Sequence, residues 1–155
     1  MVEDTKYKNV VELLGMAAVV ASLIFVGLEV RQNASATRGA TQQQLSAAAR
    51  ESALSFVDPD IVELVIRGGT PDGWAGLTEV EQFRVRQLTM VAFRMWEDAY
   101  YQFSIGNLDA DLWAGWEAGL SEALAAHYAR DFWSRQDNRY HEGFRSLVDS
   151  LITTS

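Results

Sequence analysis

The side chains best spaced to do chemistry together are Arg94, Glu97 and Asp98, which sit within an otherwise apolar stretch beside Trp96, Tyr100 and Tyr101. On a helix, residues three and four apart share a face, so Arg94 reaches either acid. At a surface that spacing makes an intrahelical ion pair, its commoner use. Sunk beneath the aromatic rings, the same three groups would form a polar network at the floor of a pocket. Trp113 and Trp116 add to the aromatic set. Tryptophan and tyrosine are core residues first, and they are also enriched where proteins bind partners. Trp96, Tyr100, Tyr101, Trp113 and Trp116 are therefore a candidate pocket or interface, with Arg94, Glu97 and Asp98 as its polar part.

The two histidines offer less. His127 lies near the end of an alanine-rich helical stretch, where an imidazolium would complement the helix C-terminus. His141 follows Asp137 by four residues and pairs with it on one face of a helix. Neither has a glutamate three positions before it, which excludes the Glu-x-x-His pairs of a carboxylate-bridged di-metal centre. No phosphate-binding glycine loop, nucleophile elbow or zinc-protease motif occurs. The chain has no cysteine, so disulfides, thiolate metal sites and cysteine nucleophiles are excluded. A net charge of -8 without a Lys/Arg cluster disfavours nucleic acid. No catalytic residue, metal ligand or cofactor is expected, and an enzyme is the less favoured reading.

What must position these residues begins with a hydrophobic run. Leu13 to Leu28 holds no charge, and Val10 to Val30, with Glu12 and Glu29 near its ends, would span about 31 Å as a helix, the thickness of a bilayer core. It is apolar all round rather than on one stripe, which a 155-residue chain could hardly surround. It is also longer than the core of a cleaved signal peptide and ends in no small-x-small site. The expectation is a retained transmembrane helix over residues 10–30, after a short N-terminal tail over 1–9. Gly15, Ala18 and Ser22 fall on one face of it, with Ala17 and Ala21 alongside, and small residues let another helix approach closely in lipid. Lys6 and Lys8 before the span, against Arg31, Arg38 and Arg50 after it, lean towards a cytoplasmic C-terminal domain.

Residues 31–57 read as a polar helical stalk that continues the membrane helix, with a bend at Gly39. Residues 58–155 read as an antiparallel bundle of about four helices, making the chain all-α. Asp58 caps a short helix with Pro59 at its first position, and Gly68-Gly69 end it. Thr70 to Leu77 reads as a loop with Trp74 tucked onto the core. Thr78 and Glu81 form a capping box for a long helix whose apolar face is Val80, Leu88, Val91, Met95, Ala99 and Phe103, closed by Gly106. Asp109 opens the next helix, with Trp113, Trp116, Leu120, Leu124 and Tyr128 on one stripe. Phe132 and Trp133 belong to an extension of that helix or to a separate short one. The last helix carries Phe144, Leu147, Val148 and Leu151.

The run Ala18 to Asn33, followed by Ala36-Thr37-Arg38, resembles the opening of a widespread group of small bacterial single-pass membrane proteins with no established activity. Glu97 to Trp116, with its Ala-Tyr-Tyr-Gln and Leu-Trp-x-x-Trp elements, is similar to the same group. The resemblance implies a bacterial inner-membrane protein with one anchor and a helical domain. It transfers no functional residue.

Two functions are compatible with these features. One is a non-catalytic accessory subunit that packs its anchor against other transmembrane helices of a larger complex, of respiratory or photosynthetic type. The alternative is a membrane-tethered sensor or small-ligand-binding domain, which requires a cavity within the bundle.

Overall fold

The computed structural model describes residues 2–54 and 58–154, and among them there is no strand. The helices are α1 (Val2–Leu54), α2 (Pro59–Gly68), α3 (Pro71–Ala75), α4 (Glu79–Ser104), α5 (Ala110–Ala123), α6 (His127–Gln136) and α7 (Glu142–Thr154), with a 3-10 turn at Asp137–Arg139 before the last. The side chains of residues 2–11 and of Asp137 are outside the described set, and with them the pairing of Asp137 with His141. So is the end of the expected stalk at residues 55–57.

The chain divides into two compact units, Met1–Gly39 and Ala40–Ser155, with the boundary inside α1. In the first, every described side chain from Glu12 to Gly39 is exposed, including Leu13, Leu23 and Phe25 at 67 to 68%. The most apolar 18-residue window of this helix has a mean hydropathy of 2.3, and none of it is buried in protein. By length and composition the segment is a candidate membrane span. The hydroxyls of Ser22 and Thr37 donate to the carbonyls of Ala18 and Asn33, both at 2.9 Å, so the helix satisfies them itself.

The second unit opens with the last turns of α1, where Thr41 and Leu45 are buried, Leu45 against Ala99, Leu108 and Trp113. A second cluster is built from Phe93, Phe132, Trp133, Tyr140 and Phe144 with Leu120, Leu124 and Val148. Its rings touch closely: Phe93 stacks on Trp133 at 5.2 Å, and Phe144 meets Trp133 edge-on at 5.9 Å. A third gathers Leu64, Trp74, Leu77 and Val85 where α2, α3 and α4 meet.

The caps read from sequence are present. Asp58 accepts from the Asp60 N–H with Pro59 at the first helical position, and the Thr78–Glu81 capping box is reciprocal. Gly106, at φ 78°, closes α4 in the left-handed conformation glycine tolerates. The described residues are all-helical, as expected. Three expectations need correction. The loop at Thr70–Leu77 contains α3, started by Thr70 accepting from the Gly73 N–H. The buried face of α4 runs through Val85, Thr89, Phe93 and Ala99, while Val80 and Val91 are exposed at 68 and 50%. Thr89 passes as an apolar residue because its hydroxyl donates to the Val85 carbonyl at 2.8 Å. Finally, α5 stops at Ala123, so Tyr128, expected on its stripe, belongs to α6, and His127 begins α6 instead of ending α5. Its backbone N–H donates to the Gly69 carbonyl at 2.9 Å. The cation at the α5 terminus is Arg130, whose Nε donates to the Leu124 carbonyl at 2.6 Å.

α7 presses on α4 at Gly143, where a Cβ would lie 2.5 Å from the Tyr100 hydroxyl. Gly143→Ala is expected to cost about 1–3 kcal/mol by overpacking. Urea unfolding checks this. Tyr100→Phe in the same chain should recover part of the loss, because it removes the nearest clashing atom; equal losses in single and double variants would refute the steric origin.

Candidate functional site

The second unit holds a partly open cavity of about 330 Å³. From α1 come Ala49, Ser52 and Ala53, from α2 Val65, from α5 Ala123, and from α6 Tyr128 and Ala129. The broadest wall is α4, with Val85, Leu88, Thr89, Ala92, Phe93, Met95 and Trp96. The space exists because alanines meet from several elements where larger side chains would interlock. Among the described residues the lining contains no ionisable group except the Tyr128 phenol. Burial raises that phenol's pKa above its ordinary value, so it stays protonated at neutral pH.

Of the aromatic set read from sequence, Trp96 alone lines this cavity. Tyr100 and Trp113 pack edge to face at 5.7 Å, and Trp113 is buried against Phe103. Trp116 shares a shallow hollow with Trp96, Leu112, Gly115 and Gly119, and Tyr101 is half exposed. The alanines, Leu88, Met95 and Tyr128 were not among the candidates. Their only signal was a high alanine content in α1 and α5, which equally marks good helix formers.

The polar set acts as a clasp. Glu97 accepts from the Arg94 guanidinium at 2.6 Å through one carboxylate oxygen and from the His141 backbone N–H at 2.6 Å through the other. Arg94 also lies 4.3 Å over the Tyr140 ring and donates to the Arg139 carbonyl. His141 Nδ1 accepts from the Gly143 N–H at 3.1 Å, capping α7. Asp98 is turned elsewhere, into a hollow shared with Leu45, Glu51, Ser52, Val91 and Met95. Burial, then the neighbouring Glu97 charge, raises its pKa, with Arg94 opposing. Among the described residues no group of three metal-ligating side chains occurs.

Burial pushes the Tyr140 phenol up to about 12, against about 10 for a free tyrosine. The folded state therefore holds this proton to higher pH than the unfolded chain, and stability falls as pH rises through that window. Between pH 9 and pH 11 the protein is expected to lose about 1 kcal/mol through this group, a loss that Tyr140→Phe should lack in urea titrations at the two pH values.

No protein-family model matches the chain, and neither a curated protein nor a solved structure gives a significant match.

Proposed function

We propose that this chain is a membrane-tethered ligand-binding domain. Residues 10–30 hold it in a bacterial inner membrane, with the helical domain on the cytoplasmic side, and that domain receives a small apolar molecule. The cavity of about 330 Å³ carries this reading. It lies in the usual size range of small-molecule sites and has their apolar walls with a few polar atoms. The pocket is partly open, so an apolar occupant would displace water from apolar walls, a favourable exchange. The exposed apolar helix supports tethering, as does the resemblance of residues 18–38 to bacterial single-pass proteins.

Thermal unfolding of the full chain in nanodiscs, followed by circular dichroism, tests the reading with naphthalene-sized apolar compounds. A molecule that binds only the folded state raises the midpoint in proportion to its occupancy. The expected result is a rise that is lost in Ala92→Leu, a variant that fills the cavity. No rise at saturation would overturn the proposal.

The accessory-subunit reading draws on one separate feature. Gly15, Ala18 and Ser22 are exposed on a helix in which nothing lies within 4 Å of a Cβ built at Gly15, a surface that a second transmembrane helix could approach closely. Purification from the native membrane in mild detergent decides this: a lone monomer would rule it out.

A further inference from the structure

We infer that the cavity selects a neutral ligand, one whose apolar body carries a carbonyl or hydroxyl oxygen, over carboxylates and amines of the same length. The inference rests on the ligand-binding reading above and specifies its chemistry.

The lining offers no counter-ion for a charged head group. A carboxylate placed there would lose its hydration with no cation to replace it, which is costly in an apolar site. The nearest charges make this worse. Glu51 and Asp98 line the adjoining hollow, which shares Ser52 and Met95 with the cavity, so an anion would also meet two acids. An amine would be drawn towards those acids, but within the cavity itself it finds no carboxylate and also loses its hydration without a partner.

The polar side-chain atoms that the cavity offers are the hydroxyls of Tyr128, Thr89 and Ser52. The Tyr128 hydroxyl makes no hydrogen bond among the described residues, whereas the Trp96 indole nitrogen lies beside Gly119, in the neighbouring shallow hollow. Burial keeps the phenol protonated and therefore able to donate. Thr89 already gives its proton to Val85, so its oxygen is left as an acceptor. A free donor and an acceptor match a carbonyl, which accepts, or a hydroxyl, which does both. Neutral amphiphiles of this kind dissolve in the bilayer that the apolar segment of α1 would occupy.

The test uses the full chain in nanodiscs and three photoreactive diazirine probes of equal chain length: a methyl ketone, a carboxylate and an amine. Sites of labelling are mapped by peptide mass spectrometry. For each probe, labelling at the cavity wall (Leu88, Met95) is divided by labelling within residues 13–28, which reports how much probe the bilayer holds. The ketone is expected to give a ratio at least about tenfold above the other two. Tyr128→Phe should lower the ketone ratio about 2- to 10-fold without changing the carboxylate ratio, as loss of one hydrogen bond predicts. Circular dichroism confirms that the variant is folded. If the carboxylate or the amine labels the wall as well as the ketone does, the selectivity inference fails while the cavity remains a binding site. If no probe labels the wall, the ligand-binding reading fails with it.

Discussion

Replacing Phe93 with alanine is expected to destabilise the helical domain by about 3–5 kcal/mol. Phe93 is fully buried and its ring meets four others: it stacks on Phe132 and Trp133, lies edge-on to Trp96 and contacts Tyr140. The loss has two parts, the transfer of a buried ring back to water in the unfolded reference and the hole left among rings that are themselves pinned by other neighbours. Those rings have little freedom to collapse inward, because Trp133 is held by its indole N–H donating to Asp149 at 2.8 Å. A loss of that size is a large share of the 5–15 kcal/mol that holds a typical domain folded, so the midpoint should drop by more than about 10 °C. Phe93 also lines the existing cavity, so the new hole joins it. Benzene- or indole-sized compounds should then restore part of the lost stability in Phe93→Ala and less of it in Phe93→Leu. Urea unfolding with and without the compound measures both effects. A loss below about 1 kcal/mol would mean that the ring cluster is not the centre of the core.

The features that were legible in the sequence are those decided within a few residues. Asp58-Pro59, the Thr78–Glu81 box and Gly106 each fix a helix end through local hydrogen bonds or a single φ angle. The uniform apolarity of residues 13–28 is likewise a one-dimensional property, and in the structure those side chains are exposed. Thr70-Pro71-Asp72 carried the same start signal as Asp58-Pro59-Asp60, and its glycines obscured it. The break between α5 and α6 had no such signal, since Leu124, Ala125 and Ala126 are all compatible with helix. It is set by partners far along the chain and one turn ahead, the Gly69 carbonyl and the Arg130 guanidinium. The face of α4 was misread because the helix is apolar on more than one side, and only its packing selects Val85, Thr89 and Phe93 over Val80 and Val91. The cavity was not legible for a related reason. It is an absence created where alanines of α1, α4, α5 and α6 converge, and one sequence without its fold says nothing about which alanines meet.

Glu97→Ala is expected to cost about 1–2 kcal/mol, more than an exposed i,i+3 ion pair would. The Arg94 side of the clasp is weak by itself, because the Arg94 side chain is 47% exposed and water can replace the carboxylate. The His141 side is different. Glu97 is only 15% exposed, and one of its oxygens satisfies a backbone N–H 44 positions along the chain, at the point where the 3-10 turn passes into α7. Removing the carboxylate leaves that donor without its charged acceptor and releases Arg94 from its position over Tyr140. The turn at Asp137–Arg139 and the first residues of α7 should therefore loosen before the rest of the domain does. Hydrogen exchange distinguishes this from a uniform loss of stability: in Glu97→Ala the amides of residues 138–145 should exchange faster by about 10-fold or more than those of α5, whereas Arg94→Ala should change them little. Glu97→Gln keeps one acceptor and should fall between the two. If Arg94→Ala proves as costly as Glu97→Ala, the group is an ordinary ion pair and the tertiary clasp does not exist.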